Sequence, residues 1–597
     1  MAARRRLLRP LLYAIAAALL YLPALGRPAL WEPDEGRYGE IAREMVLSGD
    51  WITPRDNWVR YFEKPPLVYW AEAIAIEALG PTELAVRLPA ALATVAEVVI
   101  TAALAEAMFG VAAGLGAAAA LALSPLVFGF ARFATLDPPL ALFITAALGA
   151  FWAAARAPDF GSGAGRRWFL LAAICAAAGT LTKGPVALLL AGAVGFAWLV
   201  WERRVRQIPR MPWPSAIALY LAIVVPWFVL VAQRNPGFLH FFFVHEHLQR
   251  YLESSEHGWG PYFFVLVVAG GMWPWICFVP LGVRELMRAG ATADPPAADT
   301  VRAEAAADGR LRPSEATAAL DAAEARSAMR FLLLWFGVIF VFFSIPRAKL
   351  GAYILPALPP LAILGGYGLC RLPRIGVSAL RSVLGSVALL SLILAMAAMV
   401  ALLRFSLYLN LALVLDGCAA AAALTLGAMV CMADAWRGRH LRGALVALAV
   451  GVVVALGFLG KARIDAQPLG SYRRLAREMT SYLGTGCRLL SYRHFVQSLP
   501  FYTGRREALV AYRGELAPFG NSPDARESFV ATDTDLAQLW RSNGCAVLVA
   551  NRTDLTHLRT VLDPLTTTII GCEGKKVALH NRAIPLPAQA RGCEVGP

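Results

Sequence analysis

The fold class that this sequence predicts is a polytopic α-helical membrane protein carrying a small C-terminal α/β domain, and three observations predict it. Of its 597 residues, 58% are hydrophobic and only 16% are charged, with mean hydropathy +0.56. That is more apolar surface than a soluble chain of this size can bury. Apolar stretches long enough to span a bilayer recur from Leu7 to Gly460, about thirteen in all. After Gly460 the chain turns polar, and in residues 461–597 short β-rich runs alternate with helical ones.

The first apolar stretch, Leu11 to Leu25, follows Arg4, Arg5, Arg6 and Arg9 as a signal peptide would. No small-residue cleavage pattern comes after it, so it reads as a retained first span. With that end on the cytoplasmic side and each span reversing direction, the inside loops contain Arg156, Arg166 and Arg167, then Arg203, Arg204, Arg206 and Arg210, then Arg371 and Arg374, then Arg437, Arg439 and Arg442. This is the positive-inside bias. The formal net charge of +15 is therefore spread over short loops and does not form one stripe, which argues against nucleic acid as a partner. The loop 284–330, rich in Ala, Asp, Glu and Arg, reads as cytoplasmic and partly disordered.

Outside lie residues 26–81, the turns at Asp137 and Lys183, the segment Gln233 to Pro261, the turn Ser344 to Gly351, and the tail. In the first loop Pro33 suits a helix start, with Asp34 and Glu35 at its positive end. Tyr38, Ile41, Ala42, Met45 and Val46 then follow at helical spacing until Gly49. An amphipathic helix on the membrane surface is expected here, and a second after Glu63-Lys64-Pro65-Pro66. First-turn dipole compensation competes with a functional role for the two acids.

Asp137, at Leu136-Asp137-Pro138-Pro139, is a carboxylate beside hydrocarbon and costly there unless it is bonded or used. Lys183, Arg347 and Lys349 face the same side, where a snorkelling anchor is the alternative for each. In Phe241-Phe242-Phe243-Val244-His245-Glu246-His247-Leu248-Gln249-Arg250, aromatics adjoin two histidines, an acid and an arginine, an arrangement that suits a metal or an interfacial aromatic belt. Carboxylates for acid or base work and cations for a phosphate thus share one face, which suits transfer from a phosphate-linked lipid. In the tail, β-rich runs at Cys545 to Val549 and Thr566 to Ile570 alternate with helical patterns at Tyr472 to Leu483 and Asp535 to Arg541. Its Cys487, Cys545, Cys572 and Cys593 are placed to form disulfides if that side is oxidising.

The order Pro33-Asp34-Glu35-Gly36-Arg37-Tyr38, then Phe62-Glu63-Lys64-Pro65-Pro66, then Asp137, the segment from His245 to Arg250, and Lys349-Leu350-Gly351-Ala352-Tyr353-Ile354-Leu355-Pro356 resembles the bacterial lipid A 4-amino-4-deoxy-L-arabinose transferases (ArnT) and related protein O-mannosyltransferase-like enzymes. The resemblance implies a GT-C architecture: residues 1–460 as the transmembrane catalytic domain, amphipathic loop helices over an outward cavity, and residues 461–597 as a periplasmic α/β domain. It implies an inverting glycosyltransferase in a bacterial inner membrane, with undecaprenyl-phosphate-linked 4-amino-4-deoxy-L-arabinose as donor and a lipid A phosphate as acceptor.

Carried over by position, Asp34 and Asp137 are the catalytic carboxylates. Arg37, Lys64 and Arg250 hold the carrier phosphate, and Tyr61, Lys349 and Tyr353 contact substrate. Glu63 and His245 correspond to a site for a divalent metal such as Zn. The chain departs from the family pattern at Gly351, where a proline is usual, and in its long insertion at 284–330.

Two readings compete with this one. Another polyprenyl-phosphate-sugar-dependent transferase would act on a different lipid, polysaccharide or protein, and only its product would reveal it. A lipid-linked sugar transporter fits less well, because the charges gather on one face without a midplane set or paired broken helices.

Overall fold

The computed structural model describes residues 2–249, 258–291, 313–374, 377–405, 411–436, 441–484, 486–542, 544–563, 565–585, 590 and 593. The N-terminal helices are α1 (Ala2–Tyr21), α2 (Asp34–Ser48), α3 (Leu67–Leu79), α4 (Glu83–Phe109), α5 (Val111–Ala122), α6 (Pro125–Ala131), α7 (Asp137–Ala155), α8 (Gly163–Lys183), α9 (Val186–Trp201) and α10 (Trp213–Arg234). Further helices include Val279–Ala291, Pro313–Ser344, Leu358–Arg371, Val377–Phe405, Leu411–Trp436 and Leu441–Asp465.

Seven described helices are long and apolar enough to cross a membrane, or up to nine if each of two bent pairs is one span. Three shorter apolar helices, Leu8–Tyr21, Val186–Trp201 and Arg381–Ile393, accompany them. The expected count of about thirteen treats every apolar stretch as a span, whereas chain breaks shorten several. The pair α5 and α6 bends by 65° before Pro125, and Phe263–Gly271 meets Trp275–Arg288 at 94° across Pro274.

The bundle is drawn together by small residues. At the crossing of α5 with Leu358–Arg371, a Cβ on Gly366 would lie 2.3 Å from the Ala117 nitrogen, so the two backbones touch. The body of the loop 284–330 lies outside the described residues; at its two ends helix runs through Ala291 and again from Pro313, where Ala- and Glu-rich sequence is strongly helix-forming.

Asp137 begins α7 and Arg156 follows its last residue, so their ion pairs mark the two ends of the bundle. Asp137 meets Lys183, Glu35 meets Arg463, and Arg37 meets Glu515 at one end; Arg156 meets Glu324 and Arg330 meets Glu202 at the other.

The outer loop contributes a short hairpin, β1 (Arg55–Asp56) and β2 (Val59–Arg60). The tail forms a mixed six-stranded sheet from β3 (Arg488–Tyr492), β4 (Glu507–Val510), β5 (Phe529–Val530), β6 (Ala546–Asn551), β7 (Thr568–Glu573) and β8 (Lys576–His580), in the order β5-β4-β3-β6-β8-β7. β3 runs parallel to β4 and β6, while β8 is antiparallel to β6 and β7. Leu490, Leu548 and Trp540 pack on one face, and Leu489, Val547, Val549 and Met479 on the other. Helices cover both sides, so the central strands are mostly apolar, with Ser491 of β3 and Glu507 of β4 the buried polar exceptions. Cys487 bonds Cys545 and Cys572 bonds Cys593, so all four tail cysteines pair.

Candidate active site

The site is built on α2. Gly49 stops this helix in the left-handed region at φ 69°, donating its N–H to the Met45 carbonyl. The expected surface-lying amphipathic helix is corrected here, since Glu35, Arg37, Tyr38, Glu40, Arg43 and Glu44 on α2 are buried along with its apolar positions. The tail domain covers the polar face. A Cβ on Gly36 would come within 2.6 Å of the Ser498 nitrogen, so no larger residue fits between helix and tail. The Glu32 carboxylate fastens the joint by accepting from the Gln497 and Ser498 amides at 2.9 and 2.8 Å.

Asp34 and Glu35, adjacent in sequence, part company in space. The Glu35 side chain is wholly buried and accepts from Arg87 Nε and Nη2, each at 2.7 Å, from Arg463 Nη2 at 2.7 Å and from the Ala134 amide at 2.9 Å. Burial alone would raise this carboxyl; Arg87 and Arg463 overcome that and hold it at about 2. Every acceptor direction is used, so this network is structural.

The Asp34 side chain keeps 39% exposure, with its Oδ1 3.7 Å from Arg37 Nη1. Burial raises its carboxyl above the ordinary value, Arg37 opposes the rise, and Asp137 adds to it. Asp137, the first residue of α7, receives a 2.6 Å hydrogen bond from Lys183 at the end of α8, and the Lys183 ammonium lies 4.4 Å from the centre of the Tyr353 ring. The structure thus brings Asp34, Arg37, Asp137 and Tyr353 together and adds Lys183, which the sequence placed on this face without a partner.

Arg37 Nη1 also donates to the Tyr61 hydroxyl at 3.4 Å, and its Nη2 lies 2.8 Å from Glu515 of the tail. Its buried Nε has no hydrogen-bond partner among the described residues, a donor that an anionic ligand would satisfy. Lys64 Nζ sits 3.2 Å from Glu246 and 4.0 Å from Glu63. Nothing in the sequence signalled Glu515 or Glu246 as neighbours of the two cations.

Other candidates fall elsewhere. Lys349 donates to the carbonyls of Trp259, at 3.2 Å, and Pro346, and lines a cavity of about 770 Å³ with Arg347, Phe340 and Ile345. Its recorded contacts are thus with backbone and not with the Asp34 group. Arg250 lies outside the described residues. The exposed His245 stacks on Phe241 at 5.1 Å, and Glu63 adjoins a lysine. Among the described residues, the one convergence of three metal-ligating side chains is Cys487, Cys545 and His580, whose thiols form a disulfide. Among the described residues Glu63 and His245 gather no third ligand.

Residues 7–242 match the dolichyl-phosphate-mannose-protein mannosyltransferase family, and residues 475–581 match the aminoarabinose transferase C-terminal domain. The undecaprenyl phosphate-alpha-4-amino-4-deoxy-L-arabinose arabinosyl transferase of Erwinia tasmaniensis is 31% identical over 458 residues, covering 74% of this chain and 76% of that protein. A relative of the same name from Pseudomonas fluorescens is 33% identical over 66% of this chain and 61% of its own length. The crystal structure of ArnT from Cupriavidus metallidurans bound to undecaprenyl phosphate superposes with a TM-score of 0.79 at 27% identity, covering 97% of this chain and 99% of that one.

Proposed function

The chain belongs to the undecaprenyl phosphate-aminoarabinose arabinosyl transferase family of membrane glycosyltransferases, and from that premise we propose that it moves 4-amino-4-deoxy-L-arabinose from undecaprenyl phosphate to a lipid A phosphate. The reaction takes place on the periplasmic face of a bacterial inner membrane. In this reading α8 and the three shorter apolar helices also span the bilayer, giving about thirteen crossings. The oxidised tail cysteines support the sidedness, because such pairs persist outside the cytoplasm.

The observation that carries the proposal is Asp34, half exposed between Arg37 on one side and the Asp137-Lys183 pair on the other. An oxygen of the acceptor phosphate attacks the anomeric carbon as the bond from that carbon to the carrier phosphate breaks, with inversion. Undecaprenyl phosphate leaves with the bonding electrons. Arg37 and Lys64 neutralise the charge that grows on the departing phosphate. Asp34 orients the acceptor and takes its proton where one is present, a role its raised pKa suits. Lys183, held on Asp137 and over Tyr353, fixes that wall of the site.

Mass spectrometry of lipid A tests this in a host that makes the aminoarabinose carrier but lacks its own transferase. An aminopentose addition with the wild-type protein and none with Asp34→Ala supports the reading. No addition from properly inserted wild-type protein would assign another donor or acceptor.

A further inference from the structure

The two cations given to the carrier phosphate each carry a carboxylate in this structure. Glu515 sets its two oxygens 2.8 and 2.9 Å from Arg37 Nη2, and Glu246 lies 3.2 Å from Lys64 Nζ. Glu515 belongs to the tail, in the tight turn Gly514–Phe519, and Glu246 to the segment Phe241–Gln249. Phe519 joins the two, because its ring stands edge-on to Phe62 at 4.9 Å and to Phe241 at 5.1 Å.

We infer that Glu515 is a positioning residue that holds Arg37 in register and yields it to the carrier phosphate, so the tail domain and the lipid compete for one guanidinium. This rests on the reading of Arg37 as a phosphate ligand. The Arg37 side chain is nearly buried, but that of Glu515 is 44% exposed, so this bond is partly screened by water and can be exchanged. The bond between Arg87 and Glu35, with both side chains at 0% exposure, cannot. A phosphate reaching Arg37 while Glu515 stayed would set two anions in contact, which a half-dry site penalises. The seat therefore changes hands, and the turn that carries Glu515 and Phe519 is released from Phe62 and Phe241.

The experiment uses full-length protein in detergent micelles and undecaprenyl phosphate as the probe. Binding is measured for wild type, Glu515→Gln and Arg37→Ala, and amide hydrogen exchange across residues 514–519 is followed in wild type with and without the lipid. The expected result is binding by Glu515→Gln about two- to fivefold tighter than wild type, with faster exchange at 514–519 when lipid is bound. Unchanged or weaker binding by a folded Glu515→Gln overturns the inference. If that variant does not fold, unchanged exchange in wild type overturns it and faster exchange supports it. Arg37→Ala that binds like wild type would remove the phosphate reading itself. Weak binding by Arg37→Ala beside unaltered Glu515→Gln would remove only the exchange.

Discussion

Two ion networks lie one residue apart on the first turn of α2, and they obey opposite rules. Around Glu35 every charge is buried and answered: two arginines and two backbone amides converge on one carboxylate, and none of its bonding capacity faces outward. Around Asp34 the charges are left incomplete, with a carboxylate 3.7 Å from its arginine and a second acid bound to a lysine across the gap. The first arrangement fixes the helix, and the second leaves bonding capacity for a substrate. Charged residues at a helix start are therefore neither structural nor functional as a class; what separates these two is whether their bonds are all spent inside the protein.

Exchanging the charges breaks or sharpens that contrast. Asp34→Asn should lower transfer by about 10² to 10⁴-fold and leave the melting temperature close to wild type. Glu35→Gln should do the reverse, costing about 3–5 kcal/mol of stability by stranding Arg87 and Arg463, seen as a lower melting temperature and poor accumulation. Equal behaviour of the two variants in paired activity and melting assays would abolish the distinction.

Lys183→Met should both slow transfer and destabilise, because it leaves Asp137 unpaired beside hydrocarbon. Adding Asp137→Asn should restore the melting temperature but not transfer. If the double variant regains activity, the pair is structural after all.

Reducing the tail disulfides should remove about 2–4 kcal/mol each from that domain. Through the contact with α2 it should also lower transfer, measured after mild reductant is added and removed. The smallest effect concerns Glu32, which burial pushes up to about 7 from its ordinary 4.5. The docked state holds this proton more tightly than the unfolded chain does. Its contribution is full below about pH 4.5 and is lost as the pH rises through 7. The melting temperature of wild type minus that of Glu32→Gln should therefore fall between about pH 5 and 8; a flat difference would show that Glu32 does not titrate in the joint.

The local signals were legible. Pro33 and Gly49 bounded α2 to within one residue, Pro66 preceded α3, and the tail runs at Cys545 and Thr566 became β6 and β7 within three residues. The partners of α2 were not. Glu515 lies 478 residues from Arg37, and Arg463 lies 428 residues from Glu35, beyond the reach of any periodicity. For the same reason α2 read as half solvated: its polar face looks wet in sequence until the domain that covers it is known. The sequence did not single out Arg463 at all, though Glu35 and the Arg132 carbonyl hold it.

The close fit of Gly36 against Ser498 sets an order of events during synthesis. The first outer loop leaves the ribosome early, yet the surface that shields its charged helix is among the last parts of the chain to be made. Until the tail has been made and has folded, Arg37 lacks its Glu515 partner. The candidate site is therefore completed only at the end of translation, and a chain cut short after Asp465 would keep its long apolar helices and lose the cover over α2.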